Sequence, residues 1–160
     1  MSRIPEELES PFDELVAGPA KVRDAVRDLD APSLNARPPG EEWSIRDAVL
    51  HLCDAELIAA ASFRIMLGAE DDVAIPDYDQ DLWTRRLHYL FRDVEAALVT
   101  FHVVRFGNAE LLQQLGRDTW QKSATHPEAG RLTVAELLHA NVAHTAEHVE
   151  QIGTFRALIE

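Results

Sequence analysis

TVAELLHANVAHTAEHVEQIGTFRALI, residues 133–159, reads as one long amphipathic helix. It opens on Thr133 with Glu136 three residues on, a capping box that occupies the free N–H groups of a helix start. Its apolar positions recur at helical spacing, with Leu137, Ile152 and Phe155 on one face. The same period runs through most of the chain, and no segment alternates long enough to argue for a strand.

Three more long helices follow from that pattern. One covers residues 10–29 (Phe12, Leu15, Val16, Val22, Val26, Leu29), where Gly18 and Pro19 predict a kink or a late start. One starts at Ser44, with Asp47 in capping-box position, and stops near Gly68. One covers residues 92–115 and ends at Gly116. Between them lie a Pro-rich connection (31–42), an acidic link AEDDVAIPDYDQD (69–81), a short helix at 83–90 and a loop (117–132). Helices of such length are rods of about 30 to 40 Å. Rods with one apolar stripe each bury it best as a four-helix bundle, so the expected fold is all-α, a four-helix bundle with long crossover connections, in one domain spanning 1–160.

Composition narrows the function. The chain has 160 residues and a formal net charge of −13, which disfavours nucleic-acid phosphates and anionic lipid. Cys53 is the only cysteine, so no intrachain disulfide forms. The stretch MSRIPEELESPF has no apolar signal-peptide core, and the longest apolar run, around 57–63, is too short to span a bilayer. The expectation is a soluble cytoplasmic protein with a small-molecule substrate and no nucleic-acid or membrane partner.

Chemistry concentrates in three histidines. His144 and His148 are four residues apart, so both rings project from one helix face and can reach one ion at a metal–nitrogen distance of about 2.0–2.1 Å. Asn141 and Gln151 lie one turn beyond either histidine on that face. His51 shares its face with Ala48, Ala55 and Ala59, small residues that allow close helix approach. Asp54 is placed to accept the proton of the non-ligating nitrogen of His51. Three neutral imidazoles leave coordination positions open, as a catalytic site requires.

The blocks WSIRDAVLHLCDAE (43–56), YDQDLWTRR (78–86), HPEAG (126–130) and HTAEHVEQI (144–152), in this order, resemble the DinB-like family of helical metal-binding proteins, which includes a YfiT-like branch. The resemblance covers nearly the whole chain. It implies a four-helix bundle, often a homodimer, holding a divalent metal on three histidines, which by motif position are His51, His144 and His148. Zinc or nickel is expected first, with iron, manganese, cobalt and copper as alternatives. It also implies, for some members, thiol-dependent transferases and isomerases with a low-molecular-weight thiol such as bacillithiol or mycothiol as co-substrate.

Other residues carry simpler readings. HTAEH matches the H-x-x-E-H pattern of one metalloprotease class, but only twelve residues follow His148 and no third ligand of that class is among them. Glu147 is read as a solvated charge, Cys53 as a small core residue, His126 as an exposed loop residue, and His88, His102 and His139 as structural or exposed. Trp43, Trp83 and Trp120 are packing anchors, and residues 70–72 a solvated turn. The leading function is a metal-dependent enzyme on a small molecule, resembling a thiol-dependent S-transferase. The competitors are a metal-dependent hydrolase, a non-catalytic metal-binding stress-related protein, and a metal-free dimer with a buried histidine network.

Overall fold

The computed structural model describes residues 3–70 and 73–160. Its long helices are α1 (Glu6–Ala25), α3 (Ile45–Gly68), α5 (Val94–Leu112) and α6 (Val134–Ile159), with short helices α2 (Ala31–Asn35) and α4 (Gln80–Arg86) in the connections. Both predicted capping boxes are present: Ser44 with Asp47 opens α3, and Thr133 with Glu136 opens α6.

The long helices form a ring in which α1 packs on α6 and α5, and α3 packs on α5 and α6. The consecutive pairs α1/α3 and α5/α6 therefore sit diagonally, and their connections cross an end of the bundle. This is the four-helix bundle with crossover connections that the hydrophobic period predicts.

Four local expectations are corrected. First, α1 begins before residue 10 and runs unbroken through Gly18 and Pro19. Pro19 has no N–H to give the carbonyl of Leu15, and Arg105 Nη1 from α5 donates to that oxygen instead, at 3.3 Å. Second, the Pro-rich connection contains α2, capped by Asp30. Third, α4 starts at Gln80 rather than 83, and left-handed His88 (φ 51°) separates it from a 3₁₀ turn at Tyr89–Phe91. Fourth, the connections hold a three-stranded sheet of β1 (Val73–Ala74), β2 (Ser123–His126) and β3 (Gly130–Thr133). β1 runs parallel to β2, and β2 and β3 form a hairpin closed opposite Gly130. Strands of two to four residues are too short to leave an alternating pattern.

Two apolar clusters fill the bundle. One gathers Val22, Ile45, Leu50, Leu98, Phe101, Ile152 and Phe155; the other gathers Leu8, Leu15, Phe63, Met66, Leu112, Trp120 and Leu138. Three of the long helices also bury polar side chains: His51, Asp54 and Glu56 on α3, Arg105 and Asn108 on α5, and Thr145 on α6, while α1 turns the Leu15 carbonyl to Arg105. On the outside of α5, Val99, Val103 and Phe106 are exposed at one-turn spacing. No helix among the described residues is long and apolar enough to cross a membrane. Glu70 lies in an exposed bend, and residues 71–72 of the expected solvated turn fall outside the described residues.

Candidate metal centre

α3 carries His51 and α6 carries His144 and His148 to one point. His144 Nε2 stands 2.9 Å from His51 Nε2 and 3.1 Å from His148 Nε2. Among the described residues these three form the only group of His, Cys, Asp or Glu with metal-ligand proximity.

One outward nitrogen sets a tautomer. His148 Nδ1 donates to Gln151 Oε1 at 2.8 Å, which leaves its Nε2 with a free lone pair. His51 Nδ1 faces the Tyr78 hydroxyl at 3.4 Å. With the His148 lone pair turned inward, His144 Nε2 can carry at most one hydrogen, so the three Nε2 atoms cannot all be paired with one another. A cation resolves that conflict, so the donor set fits a divalent metal.

Burial keeps the rings neutral, as ligands must be. Desolvation, then the neighbouring His144 and His148, push His51 down to about 3. Desolvation, then His148 and Arg105, push His144 down to about 4. Desolvation also lowers His148, partly opposed by Gln151 and Glu147. Trp43, at the mouth of α3, lies nearly parallel to the His148 ring at 6.0 Å and tilts onto His51 at 5.0 Å. It is a wall of the cluster as well as the packing anchor expected.

Asp54 does not serve His51. Its carboxylate takes Arg92 Nη1 at 2.7 Å and Nη2 at 3.0 Å, and Tyr89 Oη donates to it at 2.7 Å. A paired guanidinium and a phenol outcompete an imidazole N–H for that acceptor. Tyr78 occupies the place the sequence reading gave to Asp54. The phenol is pushed up by burial and by Asp54 and Asp77, so it stays protonated and neutral. Asn141 also turns away from the histidines and donates to Glu56 Oε2 at 3.1 Å.

Glu56 anchors a second cluster that the sequence reading missed. It accepts Arg105 Nη2 at 2.6 Å and Asn108 Nδ2 at 2.8 Å, and Arg105 Nη2 also donates to Thr145 Oγ1 at 2.9 Å. Glu56 and Arg105 are 1% and 2% exposed, so this is a sealed ion pair. The available signal was phase: Arg105 and Asn108 fall in the same stripe of α5 as Leu98, Phe101 and Leu112. Asn141 Oδ1 and Arg105 Nε are buried without a hydrogen-bond partner.

Two cavities meet at the histidines. The inner one, 330 Å³, reaches from His144 into the bundle past Leu52, Phe101 and Asn141. The outer one, 660 Å³, is lined by His51, His144, Tyr78, Asp77, Asp79, Gln80 and Glu128. His126 is not an exposed loop residue: it ends β2, is half-buried in the inner wall, and its Nδ1 accepts from the amides of Glu128 and Ala129 at 3.1 and 3.0 Å. His88, His102 and His139 are exposed and apart, as are Glu147 and Glu150 of the protease-like pattern. Cys53 is buried, its thiol pushed up to about 11 by desolvation and then by Asp54.

Residues 14–152 match the family model of the DinB superfamily. A "Putative metal-dependent hydrolase" of Oceanobacillus iheyensis is 22% identical over 134 residues, 84% of this chain and 77% of the relative. One from Bacillus cereus (strain 03BB102), under the same description, is 25% identical over 138 residues, 86% of this chain and 79% of the relative. Among solved structures, YfiT from Bacillus subtilis, described as "a probable metal-dependent hydrolase with an unusual four-helix bundle topology", superposes with a TM-score of 0.88 at 23% identity, covering 95% of this chain and 87% of that one. A mycothiol-dependent maleylpyruvate isomerase superposes with a TM-score of 0.72 at 14% identity, covering 94% of this chain and 61% of that one.

Proposed function

The chain belongs to the DinB superfamily, and on that footing we propose that it is a metal-dependent enzyme acting on a small molecule, with His51, His144 and His148 holding a divalent cation. The observation that carries this reading is the meeting of three neutral imidazoles at their Nε2 atoms, with His144 lining both cavities. When bound, the cation supplies Lewis acidity, favouring the deprotonated form of a water or thiol that joins it near neutral pH.

The chain's own residues supply the rest. Gln151 fixes the His148 ring, and Tyr78 faces the outer nitrogen of His51. Trp43 covers His51 and His148 on one side, which keeps bulk water from that face. Asp77, Asp79 and Glu128 line the outer cavity and offer carboxylates that accept a proton released there.

Hydrolysis is the reaction favoured by the names of the relatives. A second reading, thiol-dependent transfer or isomerisation, is supported by the shared fold with the mycothiol-dependent enzyme. Either way zinc or nickel is the first expectation, because nitrogen donors suit both. We read the protein as cytoplasmic, and its exposed stripe Val99, Val103 and Phe106 as the face on which a second copy would seat.

The test is metal uptake followed by a reaction screen. The wild type should bind one equivalent of zinc or nickel and gain thermal stability from it, and His148→Ala should lose both. Loaded protein is then assayed on ester and amide substrates, and on electrophiles with a panel of thiols. A wild type that takes up neither metal refutes the proposal. Sedimentation velocity decides the pairing.

A further inference from the structure

The two cavities that share His144 and Tyr78 differ in character. Aliphatic and aromatic groups dominate the inner wall, among them Leu52, Ile58, Ile75 and Phe101. At 330 Å³ it stands at the low end of organic-ligand pockets, which span about 300 to 1,000 Å³. A guest there gains by taking apolar surface out of water. Because the cavity reaches His144, such a guest has one end at the histidine cluster.

Two residues of its wall each hold a buried polar atom without a partner: Asn141 Oδ1, an acceptor, and Arg105 Nε, a donor. Asn141 Nδ2 donates to the Glu56 carboxylate, which only accepts, so the amide cannot be turned the other way. The atom left over, Oδ1, is an acceptor without a partner. Arg105, also in the wall, has its charge matched by Glu56 at 2.6 Å and its guanidinium over the Phe101 ring at 4.7 Å, so its unpartnered Nε adds a donor without adding an unmatched positive charge for an anion. The outer cavity adds Asp77, Asp79 and Glu128, whose charges repel an entering anion.

We propose that the inner cavity is the substrate subsite, and that it takes a small uncharged or cationic molecule. The body is apolar and about one ring in size, an O–H or N–H donor meets Asn141 Oδ1, and carboxylates and phosphates are refused. The inference rests on the metal-dependent reading only in calling the occupant a substrate whose reacting end lies at the histidines.

Benzylamine, benzyl alcohol, ethylbenzene and benzoate test it, titrated into the full chain with and without zinc and followed by two-dimensional NMR of the backbone amides. Benzyl alcohol should bind roughly fivefold more tightly than ethylbenzene, the worth of one neutral hydrogen bond. Benzoate should bind at least roughly tenfold more weakly than benzylamine. Asn141→Leu should erase the preference for the alcohol. Ala140→Trp, at an exposed position in the wall, should block every probe without requiring a change in the core. Overturning results are benzoate equal to benzylamine, an alcohol preference that survives Asn141→Leu, undiminished binding to Ala140→Trp, or no probe bound by the wild type. Zinc uptake is scored on the same samples. A wild type that sorts the probes but takes up no zinc keeps the subsite and removes the metal reading. Zinc uptake without sorting removes the subsite alone.

Discussion

The histidine cluster and the Glu56–Arg105 cluster sit side by side on α3 and α6, and they differ in how charge is handled. In the ion-pair cluster, charges of both signs are present and each Glu56 oxygen is taken by protein donors from α5 and α6. In the histidine cluster, the rings are neutral, and the three Nε2 atoms face one another without enough hydrogens in the right places to pair them all. Buried polar groups left half-satisfied cost stability unless something arrives to satisfy them. One cluster therefore fastens the helices, and the other is held open for a guest.

The largest effect that can break this comparison is on the fastener. Arg105→Met leaves the Glu56 carboxylate buried and unpaired, and should cost about 3 to 5 kcal/mol of stability, read by chemical denaturation of the metal-free protein. Glu56→Gln together with Arg105→Met should recover much of that loss, because it is the lone charge that is expensive. If the single variant unfolds no more easily than the wild type, the cluster is not a fastener.

Next in size is the acid response of the open cluster. His51 and His144 ordinarily titrate at 6.5 but stand at about 3 and 4 when folded. Below 6.5 the unfolded chain takes up protons that the folded protein refuses, so stability falls as pH drops through that window and levels off near the folded values. Urea midpoints of chelator-treated protein should decline from pH 7 to 4, and His51→Gln should flatten the slope. A pH-independent midpoint would show that the rings accept protons in place.

Smallest is the orientation of one ring. Gln151→Leu removes the acceptor of His148 Nδ1 and should weaken zinc binding roughly tenfold without changing the fold, measured by competition with a chelator. An unchanged affinity would mean that the ring is held by Trp43 and the helix alone.

The sequence made one of these clusters legible and concealed the other. His144 and His148 advertise themselves because a helix puts residues four apart on one face, and His51 because its neighbours on α3 are small. The helix starts were legible for the same local reason, since Ser44–Asp47 and Thr133–Glu136 act over three residues. Glu56, Arg105, Asn108 and Thr145 come from three helices, and nothing local in the chain says that they meet. The pairing of Asp54 was misjudged for that reason too: its true partners, Tyr89 and Arg92, lie beyond an irregular connection. Tyr78 shows no role in the sequence, because the contact it makes with His51 depends on a connection held by the short parallel strand pair β1/β2.

Pro19 gives the helix a gap in its backbone hydrogen bonding at Leu15, and Gly18 beside it clears space where a Cβ would come within 2.8 Å of Arg105 Nη1. A dipeptide that looks like a flaw in α1 is thus the keyhole for a side chain of α5. Mending the flaw, with an alanine in place of either residue, would perfect one rod while evicting the group that locks it to the others, so the straightest version of this helix belongs to a looser chamber.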